Sequence, residues 1–349
     1  MPDKAIVTFP EWGNFSSALN SLFQYLGVKT IRYRTATNKH LETGVMHSPE
    51  TICFCFKPII GGLVECVQNG ANTLVWYDTH GQCRARYYPY LQNVVLKKLD
   101  HEIQFYIFDS KNIISIMKSI TGKKSSEVLR GFLFAYKVLE AIEYAEKKAA
   151  YYRPRETDKG ATDKKLKELL GYIENVRSIR EAYSIKRKID STLREIKTRE
   201  GRVPKVLIIG EVFLIHDSYS NHNLIRNFGN LGFEVHAKHT VIELAKHVIF
   251  NPYYRWKMEK KTKKKLRVDV GGHARENVME LTDISSKDYS GIIHVGPFGC
   301  MPEVTVNPIL QRMARERNIP YLFLSFDVQT SDTGLQTRLE AFSDLIKEK

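Results

Sequence analysis

The sequence predicts an α/β protein of two doubly wound, parallel-sheet lobes with a helical insertion between them. Short apolar runs of strand length alternate with stretches of helical period near both ends of the chain, the βαβ pattern of a parallel sheet. Between about residues 111 and 202 strand signals vanish and only helical period remains. Three cysteine-bearing turns also fall beside apolar runs, at the strand ends where open α/β sheets place ligands. The expected division is residues 1–110 as a lobe carrying Cys53 and Cys83, 111–202 as the insertion, and 203–349 as a lobe carrying Cys300.

In chain order, residues 4–9 read as a buried strand ended by Pro10 and Gly13. Asn14 is placed to cap a helix through Leu26, whose apolar residues Leu19, Leu22, Phe23 and Leu26 share one face. Gly27 closes that helix and residues 28–33 form a second strand. The pattern then repeats as a helix over 58–68 ended at Asn69-Gly70, a strand over Thr73–Tyr77, a helix over 84–99 and a strand over 103–107. Residues 128–149 and 163–197 carry long helical periods, separated by Arg153-Pro154-Arg155 and Gly160. No strict heptad is sustained there, so a helical insertion with dimer-forming faces is expected rather than a coiled coil. The second lobe opens with a strand over 205–209 and the turn Gly210-Glu211, then a helix over 220–231 ended by Gly232 and a strand over 233–237. A strand over 291–295, a helix over 301–317, a strand over 319–325 and a helix over 335–346 complete it.

At 349 residues and 43% hydrophobic, the chain has enough apolar material for two or three cores. No apolar run approaches the length needed to cross a bilayer, and Met1-Pro2-Asp3-Lys4 lacks the charged-then-apolar order of a signal peptide. A cytoplasmic place and no membrane partner are expected, in a compartment where thiols stay reduced. The net charge of +14 is concentrated in 177–202 and 255–267, including Lys260-Lys261 and Lys263-Lys264-Lys265. Such runs suit nucleic acid, the phosphates of a nucleotide-like ligand, or simply a solvated helix face, and Tyr253-Tyr254-Arg255-Trp256 adds rings that stack on a base or pack internally.

The cysteine turns are Cys53-Phe54-Cys55-Phe56-Lys57, Gly81-Gln82-Cys83-Arg84 and Gly296-Pro297-Phe298-Gly299-Cys300-Met301-Pro302-Glu303. Thiolates are the natural ligands of iron–sulfur clusters, and three of them complete a four-iron cubane except for one iron. The sequence distance from Cys83 to Cys300 argues against a zinc ribbon, whose ligands come as two close pairs. Free cysteine is also a common core residue, and five in 349 is an ordinary count, so packing stands beside metal binding as a reading. Gly and Pro around Cys83 and Cys300 favour turns over core positions, whereas Cys66 lies among Leu63, Val64 and Val67 and reads as packing.

These residues, with Gly62-Leu63-Val64-Glu65, Asn69-Gly70-Ala71-Asn72-Thr73-Leu74 and Gln82-Cys83-Arg84-Ala85-Arg86-Tyr87-Tyr88, resemble the iron–sulfur component of the 2-hydroxyacyl-CoA dehydratase and benzoyl-CoA reductase superfamily. The similarity is nearest to its activase-related members and double-cubane-type relatives. It continues in the same order through Gly210-Glu211, Gly271-Gly272-His273-Ala274-Arg275-Glu276, residues 297–303, Gln329 and 334–342, covering roughly 1–110 and 203–349. The resemblance places the cluster ligands on Cys53, Cys83 and Cys300. Where the family usually has Pro after Cys-Phe, this chain has Cys55, which is then a fourth ligand, a substitute for Cys53, or a bystander on an extended turn.

The resemblance implies an oxygen-sensitive protein that handles low-potential electrons through a [4Fe-4S] cluster, or one built from it, held in the cleft between the lobes. Its expected partners are an ATP-hydrolysing activase, a CoA thioester, and a second copy or second cluster subunit. The chain has no Gly-x-x-x-x-Gly-Lys phosphate loop of its own. Glu303 is the candidate proton carrier, although an acid in a helix's first turn is also stabilised by the dipole. Arg84, beside Cys83, is a candidate donor to cluster sulfides or a surface ion-pair partner. Gly272, His273 and Arg275 are cofactor-binding candidates, because a glycine pair lets backbone approach a phosphate or cluster closely. His216, His236 and His239 lack the spacing of a mononuclear metal site. Two other functions stay open: a basic nucleic-acid-binding protein, and a structural zinc protein using the same cysteines.

Overall fold

The structure, a computed structural model, describes residues 4–78, 82–109, 111–238, 240–244, 252–285 and 287–348. The fold is α/β with two four-stranded sheets, and every strand pairing is parallel. The chain divides into two compact units, the first drawn from Met1–His80, Arg84–Glu143 and Leu170–Lys188 and the second from Gly81–Cys83, Tyr144–Leu169 and Ile189–Lys349.

The first sheet contains β1 (Ile6–Thr8), β2 (Lys29–Thr30), β3 (Thr73–Tyr77) and β4 (Gln104–Phe108) in the order β2-β1-β3-β4. Its connections are α1 (Ser16–Tyr25), α2 (Asn38–His47), α3 (Phe56–Gln68) and α4 (Tyr88–Lys98). A core of Val7, Phe9, Leu22, Phe23, Val75 and Val128 forms because these apolar positions meet across the sheet and the α1 face. Gly27 ends α1 at φ 78°, in the left-handed region that an L side chain resists.

β2 is shorter than the strand expected over 28–33, and beyond it the side chains of Arg32 and Tyr33 turn to Glu11. Arg32 Nε and Nη2 reach the Glu11 carboxylate at 2.6 and 2.7 Å, and Glu11 N donates to Tyr33 Oη at 2.9 Å. Helix α2 had no apolar stripe to announce it. It starts at Thr37, whose hydroxyl accepts from His40 N, and lies against α3 through glycine: a Cβ on Gly44 would strike the Lys57 carbonyl, and one on Gly61 the His40 carbonyl. The N-cap position of α1 falls on Phe15, one residue after Asn14, and Trp12 N donates to Ser16 Oγ at 2.6 Å.

Between 111 and 202 the described residues hold helices and no strand: α5 (Ile113–Thr121), α6 (Ser125–Tyr152), α7 (Ala161–Glu174) and α8 (Ile179–Arg194). The period read as one helix over 163–197 is broken by a reciprocal cap. Glu181 N donates to Ser178 Oγ at 3.2 Å while the Glu181 carboxylate accepts from Arg177 N at 3.0 Å, which starts α8 afresh.

The second sheet, in the order β6-β5-β7-β8, contains β5 (Lys205–Gly210), β6 (Glu234–Ala237), β7 (Gly291–Pro297) and β8 (Tyr321–Phe326). Around it lie α9 (Val212–His216), α10 (Leu224–Asn230), α11 (Val241–Leu244), α12 (Pro252–Thr262), α13 (Ala274–Asp283), α14 (Met301–Glu316) and α15 (Asp332–Lys347). Leu207, Ile209, Ile292, Val306, Leu310 and Met313 pack into its core. The helix expected over 220–231 begins only at Leu224. Before it, Asp217 accepts from Ser220 N at 2.9 Å and Asn221 Nδ2 donates to the Leu214 and Ile215 carbonyls, holding a turn. No helix among the described residues is long and apolar enough to cross a membrane.

The glycine contact between α2 and α3 gives a direct test. Gly61→Ala forces backbone apart and should cost about 3 kcal/mol or more, whereas Gly171→Ala, whose Cβ meets nothing within 4 Å in a helix, should stabilise by about 0.5–1 kcal/mol. Urea midpoints of the two variants, measured beside the parent, check both signs.

Candidate functional site: cysteine turns and a buried carboxylate

In the second unit a buried polar network is built on β5, β7 and the helices α13 and α14. β7 is buried along its whole length, yet its fourth residue is His294, 0% exposed. Glu303, in the first turn of α14, is 1% exposed. His294 Nε2 and Glu303 Oε2 are 2.7 Å apart, and Asn277 Nδ2 of α13 donates to the same oxygen at 2.9 Å. Asn277 is oriented from behind, since Gly210 N donates to its Oδ1 at 3.0 Å. On the other side of the imidazole, Nδ1 lies 2.7 Å from Tyr321 Oη, which donates to Asn307 Oδ1 at 2.8 Å.

The imidazole is thereby held between the Glu303 carboxyl group on one side and the Tyr321 phenol on the other, with both ring nitrogens engaged at 2.7 Å. Burial, then the charge of Glu303, pushes the Tyr321 phenol far up, so it stays protonated. Burial also pushes the nearby Glu276 carboxyl up to about 7, helped by the negative charges of Glu303 and Asp269.

Gly271 and Gly272 sit beside this network with φ 75° and 56°. A Cβ on Gly271 would lie 2.5 Å from Cys83 N and 2.8 Å from Gln82 N, and one on Gly272 would lie 3.0 Å from Pro302 Cβ and Cγ. The glycine pair thus packs on one side against the Cys83 turn and on the other against the helix start that follows Cys300. Cys300 is 5% exposed and forms the N-cap of α14; its N donates to Pro297 O at 3.0 Å, and Gly299 at φ 78° makes the reversal. Cys83 is half-buried. His273 is the N-cap of α13, and Arg275 Nη1 bonds Thr262 Oγ1 and Leu266 O at 3.0 and 3.3 Å, fastening the end of α12.

In the first unit, Cys53 and Cys55 are 8% and 3% exposed at the start of α3, with Cys55 as its N-cap. The turn is compact rather than extended, since Phe56 N donates to Cys53 O at 3.0 Å. Arg84 Nη1 donates to the Thr51 carbonyl at 3.1 Å, fixing the residue that follows Cys83 to the stretch that leads into Cys53. Cys66 is 1% exposed inside α3, and burial raises its thiol to about 11, which makes it unreactive.

Cys55 and Cys300 are the N-caps of α3 and α14, positions where backbone amides favour a thiolate. None of the five cysteines forms a disulfide, and among the described residues no three His, Cys, Asp or Glu side chains converge as a metal-ion group. His236 is engaged with Glu234 at 2.7 Å and Tyr289 at 3.2 Å, His216 ends α9, and His239 lies outside the described residues, as does Gly81. The sequence reading missed His294 and Asn277; the one available signal was a histidine in an otherwise apolar strand. Fold and site together define an α/β protein with a buried acid–imidazole pair beside a cysteine turn. No protein-family profile matches the chain, and no curated protein shows significant similarity to it.

Two outcomes are expected. The folded Glu276 carboxyl binds its proton more tightly than the unfolded one, so its contribution to stability is present below the ordinary 4.5 and lost as pH rises through about 7. Glu276→Gln should flatten that part of the pH–stability curve, read as urea midpoints between those limits. Asn277→Ala leaves Gly210 N and Glu303 short of a partner and should cost about 2–3 kcal/mol in the same assay.

Proposed function

We propose that this chain is an iron–sulfur protein handling low-potential electrons in an ATP-dependent 2-hydroxyacyl-CoA dehydratase or reductase-type system in the cytoplasm, with Cys53, Cys83 and Cys300 as its thiolates. The supporting observation is the Gly271-Gly272 pair, which packs against both the Cys83 turn and the residue two beyond Cys300. Metal-ligand turns need such fixed backbone, since a ligand displaced by an ångström loses its bond. When bound, a [4Fe-4S] cluster would supply one-electron chemistry at low potential.

The chain's own residues have separate tasks. Glu303, bonded to His294 in a dry site at the first turn of the Cys300 helix, is the proton carrier, and Asn277 holds its oxygen in place. Arg84 donates to Thr51 O. Cys55, at the N-cap of α3, is the spare thiol of the compact turn. The partners follow from the resemblance: an ATP-hydrolysing activase, since the sequence lacks a phosphate loop, and a CoA thioester.

Anaerobic purification should yield a brown protein containing iron and sulfide. Single Ala replacements of Cys53, Cys83 and Cys300 should each remove most of the iron, while Cys66→Ala should retain it. A colourless parent protein after reconstitution with iron and sulfide would overturn the proposal. In a second experiment, an activase, ATP and a reductant should bleach the visible band, and equal bleaching without ATP would reduce the protein to a simple electron carrier.

A further inference from the structure

Helix α12 and the turn after it have two unlike sides. The inner side is anchored, with Met258, Thr262 and Leu266 buried and the Arg275 guanidinium bonded to Thr262 Oγ1 and Leu266 O. Lys261 and Lys265 are paired with Asp283 and Glu316 at 2.6 and 3.9 Å. The outer side is different. Tyr253 and Trp256 are 63% and 54% exposed, and their rings stack with centroids 5.5 Å apart and planes at 30°. Lys260 Nζ lies 4.9 Å from the Trp256 ring centroid. Lys257, Lys260, Lys263, Lys264 and Arg267 are exposed, and among the described residues none of them meets a carboxylate. Glu259 is the acid on this stretch, and Asp269, beyond it, accepts from Gly271 N.

Two large rings kept in water beside cations without counter-charges are unfavourable for folding alone, since apolar area stays hydrated and like charges repel. Both features suit one class of ligand. The geometry points to a single-stranded nucleic acid bound across this face, with the Tyr253–Trp256 pair stacking a base and Lys257, Lys260, Lys263, Lys264 and Arg267 taking successive phosphates. An acidic protein would match the cations but would not require exposed ring planes. Bases of a duplex are already stacked and cannot reach the rings, and a free nucleotide is too short for cations spread over residues 257–267. The surface is independent of the cysteine chemistry, so iron loss in Cys300→Ala should leave binding unchanged.

The test uses the full chain and a fluorescein-labelled oligodeoxythymidylate of about 16 nucleotides, the upper site size of a single-strand-binding fold, with anisotropy read over a range of salt. Five neutralised phosphates predict a slope of log affinity against log salt of about −3.5. Replacing Tyr253 and Trp256 together with Ala should weaken binding about 5- to 150-fold with little change in slope, because stacking and not charge is removed. Replacing Lys257 and Lys264 together with Ala should make the slope shallower by about 1.4. All four positions are exposed, so thermal melting should match the parent in both variants. Unchanged affinity in the aromatic variant, or heparin competing as well as the oligonucleotide at equal charge, would show a general polyanion surface and overturn the proposal. Preferential binding of polyglutamate would overturn it in favour of an acidic protein.

Discussion

The second unit is organised around a buried carboxylate. Taking Glu303 out of water is costly unless its charge and lone pairs are answered, and a buried acid lacking one partner is worth several kcal/mol of instability. Here the answer comes from three elements: His294 on β7, Asn277 on α13, and behind Asn277 the amide of Gly210 at the end of β5. Each bond also fixes an orientation. Asn277 can donate to Glu303 because Gly210 N occupies its carbonyl, and the His294 ring is held in one plane between Glu303 and Tyr321. The strand ends, α13 and the first turn of α14 are therefore set against one another by directional bonds as well as by packing, and the Cys300 turn inherits that order.

Close backbone approach does the rest. Gly210 is at φ 134°, and any side chain there would strike the Val295 carbonyl. Gly271 and Gly272 similarly give up side chains so that the Cys83 turn and Pro302 can come against them. Backbone contacts of this kind admit little adjustment, since the neighbouring atom is not the end of a flexible side chain. A site built on them is rigid, which suits chemistry that depends on a fixed ligand position.

How much of this was legible in the sequence depended on where the information lay. β3, β5 and β7 were plain because a strand buried on both faces is a continuous apolar run. β2 was overdrawn because Arg32 and Tyr33 look like strand residues while serving Glu11, twenty-one and twenty-two positions away. α2 was missed because its packing relies on Gly44 rather than on an apolar stripe, and periodicity cannot see a missing side chain. The start of α8 was written in Ser178 and Glu181, a local signal that the long helical period on both sides obscured. The cysteine turns stood out through their Gly and Pro neighbours. The partners of Glu303 did not, since Asn277 and His294 lie twenty-six and nine positions away and become neighbours only when the sheet forms.

The way the chain alternates between its two units also bears on its history as a gene. Each unit is assembled from three separated segments, and the divisions fall inside α6, α7 and α8 as well as around residues 81–83. Neither unit is a continuous stretch that one recombination event could copy, lose or fuse elsewhere. A single proteolytic nick likewise frees neither of them. Three helices, α6, α7 and α8, each give residues to both units, so the sites that tolerate insertion are exposed loop tips rather than the divisions between units.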